Sequence, residues 1–213
     1  MEDQLPAPPR WAEKALQGIA FWIGHRRSIY EGYDLSEGAI VAEICNIVYA
    51  HLSDGQILRC EVPLSEISPS SINIPSRGRP PSADIVIQRK TSGASIKGTT
   101  SNKYTTEYVV EVKRASAQKN DINKDIERLA DVKACNPEIG AFLIIVSEAR
   151  RPDRFVTQSG NARRKREKIE EKSQLYIPRR AKKAGHSFSR IEKAHFACLV
   201  EVINPPSHEV AAM

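Results

Sequence analysis

Two acidic residues and a lysine stand beside apolar runs, at a spacing that suits hydrolytic chemistry. Asp84 opens one such run, and Glu111 and Lys113 lie at the end of another. If residues 84–113 form an antiparallel hairpin that turns near Lys97, opposite positions sum to about 195, so Asp84 faces Glu111. Side chains alternate along a strand, which puts Glu111 and Lys113 on one face. The sequence therefore predicts two carboxylates and one ammonium group at one place.

Divalent metal chemistry is the simplest use for such a group. Adjacent carboxylates repel each other unless a cation lies between them. A site that offers only oxygen ligands favours Mg²⁺, for which Mn²⁺ can substitute. A metal held by Asp84 and Glu111 would polarise a phosphate and acidify a water molecule, and Lys113 would help to position that water. The pattern is typical of phosphodiester hydrolysis.

The arrangement resembles the PD-(D/E)XK nuclease superfamily, which has the restriction-endonuclease-like fold. The resemblance rests on Pro81-Ser82-Ala83-Asp84 and Glu111-Val112-Lys113 and covers roughly residues 36–147. One departure is that the proline stands three residues before the aspartate instead of beside it. The superfamily pattern is short, so its specificity comes from its context.

The resemblance implies a role for each matching residue. Asp84 and Glu111 would bind the metal, with the backbone carbonyl of Val112 completing its coordination, and Lys113 would assist the attacking water. Many members add a glutamate from the first core helix, which implies Glu43 as a further acid. From its place beside the apolar face of that helix, Glu43 could either reach the site or lie in solvent.

A chance match is the competing interpretation, because acids and lysines near strand ends are common. Three observations favour the nuclease interpretation. The acid of the Glu-x-Lys triplet lies inside an apolar run, where a charge is costly unless it is paired or metal-bound. The preceding strand carries its own acid at the matching height. A predicted helix and another apolar strand follow in the order that the superfamily uses.

Hydrophobic periodicity predicts the elements that would position these residues. The predicted class is α/β, with an αβββαβ core whose mixed central sheet is flanked by helices, plus an N-terminal helix and a basic C-terminal segment. We expect helices at about 10–30, 37–52, 119–135 and 161–172, and strands at 56–62, 84–89, 141–147 and 195–203, besides the one that carries Glu111. The predicted divisions are an N-terminal extension (1–35), the nuclease core (36–148) and the basic segment (149–213).

Charge points to a polyanionic partner. The net charge is +6, but residues 150–193 hold fifteen Lys and Arg against five Asp and Glu, so the rest of the chain is mildly acidic. A basic segment on an acidic body suits double-stranded DNA, although a solubilising charged surface is the plainer alternative. The candidate nucleic-acid-binding residues are Arg77, Arg79, Lys97, Lys103, Arg163, Arg164, Arg166, Arg179, Arg180, Lys182 and Lys183.

Composition bounds the remaining possibilities. Hydrophobic residues make up 40% of the 213 residues, which is ordinary for a globular protein. No apolar run is long enough to cross a bilayer, and the start of the chain does not resemble a signal peptide. The four cysteines, Cys45, Cys60, Cys135 and Cys198, form no metal-binding spacing, which predicts buried free thiols and a cytoplasmic protein.

The leading hypothesis is a Mg²⁺-dependent DNA endonuclease of a restriction or defence type, acting as a homodimer to cut both strands. A Holliday-junction resolvase or a DNA-repair nuclease of the same fold is the nearest alternative. An alternative of a different class is a nucleic-acid-binding or assembly protein that has the fold without catalysis. The presence of both carboxylates and the lysine counts against that last possibility.

Overall fold

A computed structural model describes residues 5–29, 35–68, 80–91, 103–148, 150–184 and 194–206. Its helices are α1 (Arg10–Ile29), α2 (Glu37–Tyr49), α3 (Leu64–Ile67) and α4 (Lys119–Cys135). Its strands are β1 (Gln56–Pro63), β2 (Ser82–Thr91), β3 (Lys103–Arg114), β4 (Gly140–Ser147), β5 (Glu167–Lys168), β6 (Leu175–Lys183) and β7 (Phe196–Ile203). Within these residues no helix has both the length and the apolarity to cross a membrane.

All seven strands form one mixed sheet, in the order β1-β2-β3-β4-β7-β6-β5. Strands β3 and β4 run parallel and are connected through α4, whereas the other neighbouring strands are antiparallel. The predicted α/β class, with a mixed sheet flanked by helices, is therefore confirmed. Strand β3, which carries Glu111 and Lys113, lies inside the sheet with a partner on each side.

The sheet buries a different apolar layer on each face. Helices α1 and α2 cover one face, where side chains such as Ile85, Val110 and Val112 are buried. Helix α4 covers the other, with Val86 and Val109. Alternation along β3 therefore sends Glu111 and Lys113 toward the α4 side and Val110 and Val112 toward the α1–α2 side, as predicted.

Local sequence explains the two helices next to the site. The Ser36 hydroxyl accepts a hydrogen bond from the Ala39 amide, which caps α2 and places Glu37 in its first turn. Helix α1 packs closely on α2, because a Cβ at Gly18 would lie only 2.7 Å from the Ile47 side chain. Helix α4 has the bounds predicted for it and buries a stripe that includes Ile122, Ile126 and Leu129.

The basic C-terminal region differs from the prediction. No helix forms at 161–172. Arg164 and Glu171 have positive φ angles, at 51° and 57°, which a helix does not permit, and the short strand β5 lies between them. Strand β6 was missed because its second half reads as a basic cluster. It contains Pro178, which sits at a shift in the β6–β7 register, where a strand tolerates proline.

The terminal segments contact the central part of the chain closely. Helix α1 lies beside α2 and also contacts β6 and β7. Strand β7 pairs directly with β4, so the basic segment extends the same sheet. The division at residues 35 and 148 stays a prediction about the organisation of the chain.

Candidate active site

The β2–β3 ladder has the predicted register. Ile85 pairs with Val110 and Val86 with Val109, so that opposite residue numbers sum to 195 before an irregularity after Ile87. One step beyond the Ile85 pair, Asp84 and Glu111 come opposite each other. The predicted turn at Lys97 lies outside the described residues. Antiparallel pairing thus brings together two acids that are 27 positions apart in the chain.

The carboxyl groups of Asp84 and Glu111 lie in contact, close enough for each to shift the pKa of the other. Glu111 is only 2% exposed, and Asp84 is partly buried. Burial, followed by the charge of Asp84, raises the pKa of Glu111 well above its usual value. Burial also raises the pKa of Asp84, against the opposing effect of its backbone hydrogen bond. Without a cation the pair therefore favours holding a proton.

Backbone geometry fixes one of the two carboxyl groups. The amide of Val112 donates a hydrogen bond of 2.7 Å to Oδ2 of Asp84. This bond ties the side chain of β2 to the backbone of β3, one residue beyond Glu111. On its other side β2 pairs with β1, and there the pairing is interrupted beside Asp84, because Glu61 of β1 has a φ of 53°. Asp84 is therefore oriented toward β3.

Lys113 is held by acids from both helical layers. Its Nζ lies 2.9 Å from Oε1 of Glu37 on α2 and 3.2 Å from Oδ2 of Asp125 on α4. Burial lowers the pKa of Lys113, but the hydrogen bond to Glu37 and the charges of Asp125 and Glu37 outweigh it and raise the pKa above its usual value. The lysine is therefore a fixed cation at the end of β3.

Helix α4 adds a second cation on the same face. Arg128 forms a close ion pair with Asp125, one turn earlier in the helix. Its Nε lies 3.6 Å from Oε1 of Glu111, within ion-pair range but too far for a hydrogen bond. Oε1 of Glu111 consequently has no hydrogen-bond partner among the described residues, whereas Oδ2 of Asp125 faces the Lys113 ammonium. The cluster, defined as Glu37, Asp84, Glu111, Lys113, Asp125 and Arg128, contains four acids and two cations.

The residues present fit a hard divalent cation. Glu111 offers a buried carboxylate oxygen that no hydrogen bond occupies, and Asp84 lies against it. Mg²⁺ commonly takes one or two protein carboxylates and keeps several waters. No group of three or more His, Cys, Asp or Glu in the described part of the chain forms a ready-made metal site. Asp84 and Glu111 would therefore hold the ion together with water, and the carbonyl of Val112 as a third ligand stays a prediction.

The acid that α2 brings to the cluster is Glu37, whereas the resemblance pointed to Glu43. Glu43 lies nearly two turns further along the helix and is partly buried, and its side chain makes no hydrogen bond or ion pair with any described residue. The sequence signal for Glu37 was its place directly after the capping Ser36. Its contact with Lys113 depends on how α2 meets the end of β3, which periodicity does not reveal.

Asp125 and Arg128 were also missed. Asp125 is 2% exposed and lies within the apolar stripe of α4 between Ile122 and Leu129. An acid on the buried face of an amphipathic helix is costly unless it is paired, and Arg128 follows at the i+3 position that permits pairing. These two facts together could have identified the pair from sequence.

A cavity of about 1110 Å³ lies at the end of the sheet where β3 and β4 finish, and it is lined by neighbours of the cluster in sequence but by none of its six residues. Arg114, which follows Lys113, lines it, as do Ile122 and Ile126 on either side of Asp125. At its inner end Glu148 is buried and pairs with Arg114 at 2.8 Å and with Arg27 at 3.8 Å. The cavity therefore opens from the same end of the sheet that carries Lys113.

The cavity has an excess of positive charge. Seven Lys and Arg line it against five Asp and Glu, and several of those acids are already paired with cavity side chains. The side chains of Lys119, Arg150 and Lys168 are exposed, and no ion pair with another described residue neutralises them. These three cations, called the cavity cations below, were not among the sequence-predicted nucleic-acid contacts.

The sequence-predicted nucleic-acid residues have different settings. Arg77, Arg79 and Lys97 lie outside the described residues, and Lys103 begins β3. Arg163, Arg164 and Lys183 are exposed. Arg166 and Arg180 are partly buried, and Lys182 pairs with Glu13 at 2.8 Å.

Arg179 requires a correction. It is 8% exposed, forms a close ion pair with Glu201, and donates to the carbonyl of Pro6. Its contacts are internal, joining β6 to β7 and to the segment before α1. The sequence showed a basic cluster but not that alternation along β6 turns this one arginine inward.

No protein-family model, curated protein or solved structure matches the chain. Inferences about its activity therefore depend on the chemistry of the residues described above.

Proposed function

We propose that this protein is a Mg²⁺-dependent nuclease that hydrolyses phosphodiester bonds in DNA. The observation that supports this most strongly is the contact between the buried carboxyl group of Glu111 and the partly buried one of Asp84, beside a fixed lysine. Two acids in contact are unfavourable as anions unless a cation joins them. A cation bound by Asp84 and Glu111, together with the ammonium group of Lys113, would stabilise the negative charge that develops on a phosphate.

The element order also supports the proposal. Helix α2, strands β1, β2 and β3, helix α4 and strand β4 follow one another as in the restriction-endonuclease-like core, with the short α3 inserted between β1 and β2. The first acid is on the second strand of that series, and the Glu-x-Lys triplet is on the third. On this basis we propose membership of the PD-(D/E)XK superfamily and a restriction or defence role.

Five of the six cluster residues have a task in the proposed reaction. When bound, Mg²⁺ would supply Lewis-acid polarisation of the scissile phosphate and a more acidic water. Asp84, oriented by the Val112 amide, and Glu111 would hold the ion. Lys113 would orient the attacking water and offset the charge that develops on the phosphate. Asp125 and Glu37 would act as positioning residues for Lys113.

The cavity cations supply a path for the DNA backbone. Lys119, Arg150 and Lys168 are exposed around the cavity at the end of β3, and phosphate contacts of this kind position a duplex without reading its sequence. Cutting both strands would require two sites, and we propose that a symmetric homodimer supplies them. Nicked and linear products of a supercoiled plasmid distinguish single-strand from double-strand cutting.

Cleavage of plasmid and oligonucleotide DNA with Mg²⁺ or Mn²⁺ tests the proposal. We expect the wild type to cut and EDTA to abolish cutting. Asp84→Asn should lose detectable activity, and Lys113→Ala should lose on the order of a hundredfold, because it removes a water-positioning group. Matched controls on the surface of α4, Asp121→Asn and Lys124→Ala, should cut like the wild type. Their side chains are exposed and pair with each other.

The alternatives predict other results. Preferential cutting of four-way junctions would support the resolvase interpretation. Tight DNA binding without cutting under any divalent metal would support a binding or assembly protein. Cutting that persists in both Asp84→Asn and Lys113→Ala would show that the proposed site is wrong.

A further inference from the structure

Two cysteines that are distant in sequence meet beside the candidate active site. Cys45 lies on α2 and Cys60 on β1, and their Sγ atoms are 3.3 Å apart. Cys60 is exposed and Cys45 is partly buried. The expectation of buried free thiols is therefore wrong for Cys60 and also for Cys135, which is exposed without a sulfur neighbour among the described cysteines.

The local structure permits the two sulfurs to bond. A disulfide requires about 2.05 Å between sulfurs, so the contact must close by little more than an ångström. Cys60 is on β1, the edge strand of the sheet, which has a pairing partner on one side only. Its neighbour Glu61 breaks the β1–β2 pairing with a positive φ. The backbone next to Cys60 is therefore less constrained than that of a central strand.

We propose that Cys45 and Cys60 are a redox-sensitive pair that forms a reversible disulfide when the protein meets a peroxide. The Cys60 sulfur attacks H₂O₂, the O–O bond breaks, and a sulfenic acid and water form. The Cys45 sulfur then attacks the sulfenic sulfur, forming the S–S bond and releasing a second water. In total, two thiols lose two electrons and two protons, and one peroxide is reduced to two waters.

The two cysteines have unequal roles in this sequence. Burial, followed by the hydrogen bond with Cys60, raises the pKa of Cys45 to about 12. Cys45 therefore keeps its proton at neutral pH and is the poorer first nucleophile, since the thiolate is the reactive form. Cys60 is exposed and meets the oxidant first. Cys45 is then the nearest thiol to the sulfenic acid.

The pair adjoins the proposed metal ligands. The carboxylate of Asp84 is close enough for its charge to contribute to the raised pKa of Cys45, and Cys60 pairs with Ile85, the residue after Asp84. Helix α2 also carries Glu37, which contacts Lys113. A bond between α2 and β1 would thus link the helix that carries Glu37 to the strand that pairs with β2, on which Asp84 lies. This consequence for cleavage rests on the proposed function, whereas disulfide formation does not.

Peptide mapping of the full-length protein tests the proposal. The reduced wild type is treated with H₂O₂, free thiols are alkylated, and the digest is analysed by mass spectrometry without reduction. We expect a Cys45–Cys60 cross-linked peptide, with the loss of two hydrogens, that disappears after dithiothreitol. Cys135→Ser should form the same cross-link. Cys45→Ser should instead leave a sulfenic acid on Cys60 that dimedone labels more strongly than in the wild type.

Two results would overturn the proposal. One is that Cys60 and Cys135 oxidise at similar rates with no cross-link to Cys45. The other is that Cys60 forms only intermolecular disulfides. Because mapping needs no activity, it separates this proposal from the nuclease proposal: a cross-link in a protein that cuts no DNA would support the redox pair and not the nuclease. In a protein that cuts DNA, we expect oxidation to change the cleavage rate of the wild type and not that of Cys60→Ser.

Discussion

Asp84 and Glu111 face each other across the β2–β3 ladder with their carboxyl groups in contact, and one oxygen of Glu111 has no hydrogen bond within the described residues. Without a metal ion the pair favours holding a proton, which the proposed cation would replace. A cation would relieve the repulsion and fill the unused carboxylate oxygen.

Glu111→Gln should stabilise the metal-free protein at neutral pH. In EDTA we expect a gain on the order of 1–3 kcal/mol in the free energy of unfolding, because the variant removes the cost of keeping a buried acid, charged or protonated, beside Asp84. Folding raises the pKa of Glu111. Protonated Glu111 therefore contributes its full share of stability below the usual carboxyl pKa, and the wild type loses that share as the pH rises through the folded-state pKa of Glu111. Urea titrations at several pH values measure this difference.

Metal addition should stabilise the wild type and not Glu111→Gln. At a hundred times its dissociation constant, Mg²⁺ should stabilise the wild type by about 2.7 kcal/mol and leave Glu111→Gln nearly unchanged. The exposed Glu138→Gln serves as the control and should respond like the wild type. An equal response of Glu111→Gln and wild type to Mg²⁺ would count against Glu111 as a ligand.

Glu37→Gln should reduce the proposed activity more than Glu43→Gln. Glu37 contacts Lys113 at 2.9 Å, so removing its charge loosens the lysine and should slow cleavage by roughly tenfold, which corresponds to about 1.4 kcal/mol. Single-turnover cleavage rates of the two variants measure the difference. A larger loss in Glu43→Gln would favour the assignment that the resemblance implied.

The cavity cations should carry part of the affinity for DNA. Replacing Lys119, Arg150 and Lys168 with alanine should weaken binding. The slope of log K against log salt should become shallower by roughly one for each phosphate that the variant no longer neutralises. Fluorescence anisotropy at several salt concentrations measures both quantities.

A control variant should remove the same charge elsewhere. Arg10, Lys14 and Lys90 are exposed and do not line the cavity. Their triple alanine variant should retain the wild-type salt slope. If both triple variants lose the same DNA affinity and show the same salt slope, the effect on binding comes from the net charge of the protein and not from the cavity.

His195 should make the protein less stable in mild acid. Burial lowers its pKa, the charge of Arg27 adds to this, and the backbone and carboxylate of Glu148 only partly offset it. The pKa of His195 is lower in the folded protein than the usual 6.5. Protonation therefore costs the folded state nothing above pH 6.5, and this loss of stability grows as the pH falls below 6.5. His195→Gln should flatten the thermal stability profile in this range. The exposed His51→Gln should not.

The elements that sequence predicted well are those with a strong local signal. Helix α4 repeats its apolar residues with helical periodicity and ends before Asn136-Pro137, so both of its bounds were predicted. The β2–β3 register followed from alternation, because a slip by one residue would turn a whole strand inside out. The meeting of Asp84 and Glu111 was therefore predictable.

The missed elements depend on contacts between distant segments. Strand β6 reads as basic and includes a proline, and it becomes a buried strand only because β7 and the segment before α1 lie against it. The contact of Glu37 with Lys113 likewise depends on the docking of α2 at the end of β3. Local patterns contain no information about either arrangement.

Lys113 binds an acid from α2 and an acid from α4, which belong to the layers on opposite faces of the sheet. The lysine can hold its position only when both layers are docked at once. The proposed chemistry therefore requires the complete fold. A chain with either helix detached would keep its β2–β3 hairpin and both carboxylates, but the Lys113 ammonium group would lose one of the two acids that fix its position. If the protein is the proposed nuclease, partly folded chains would cut DNA far more slowly than folded ones.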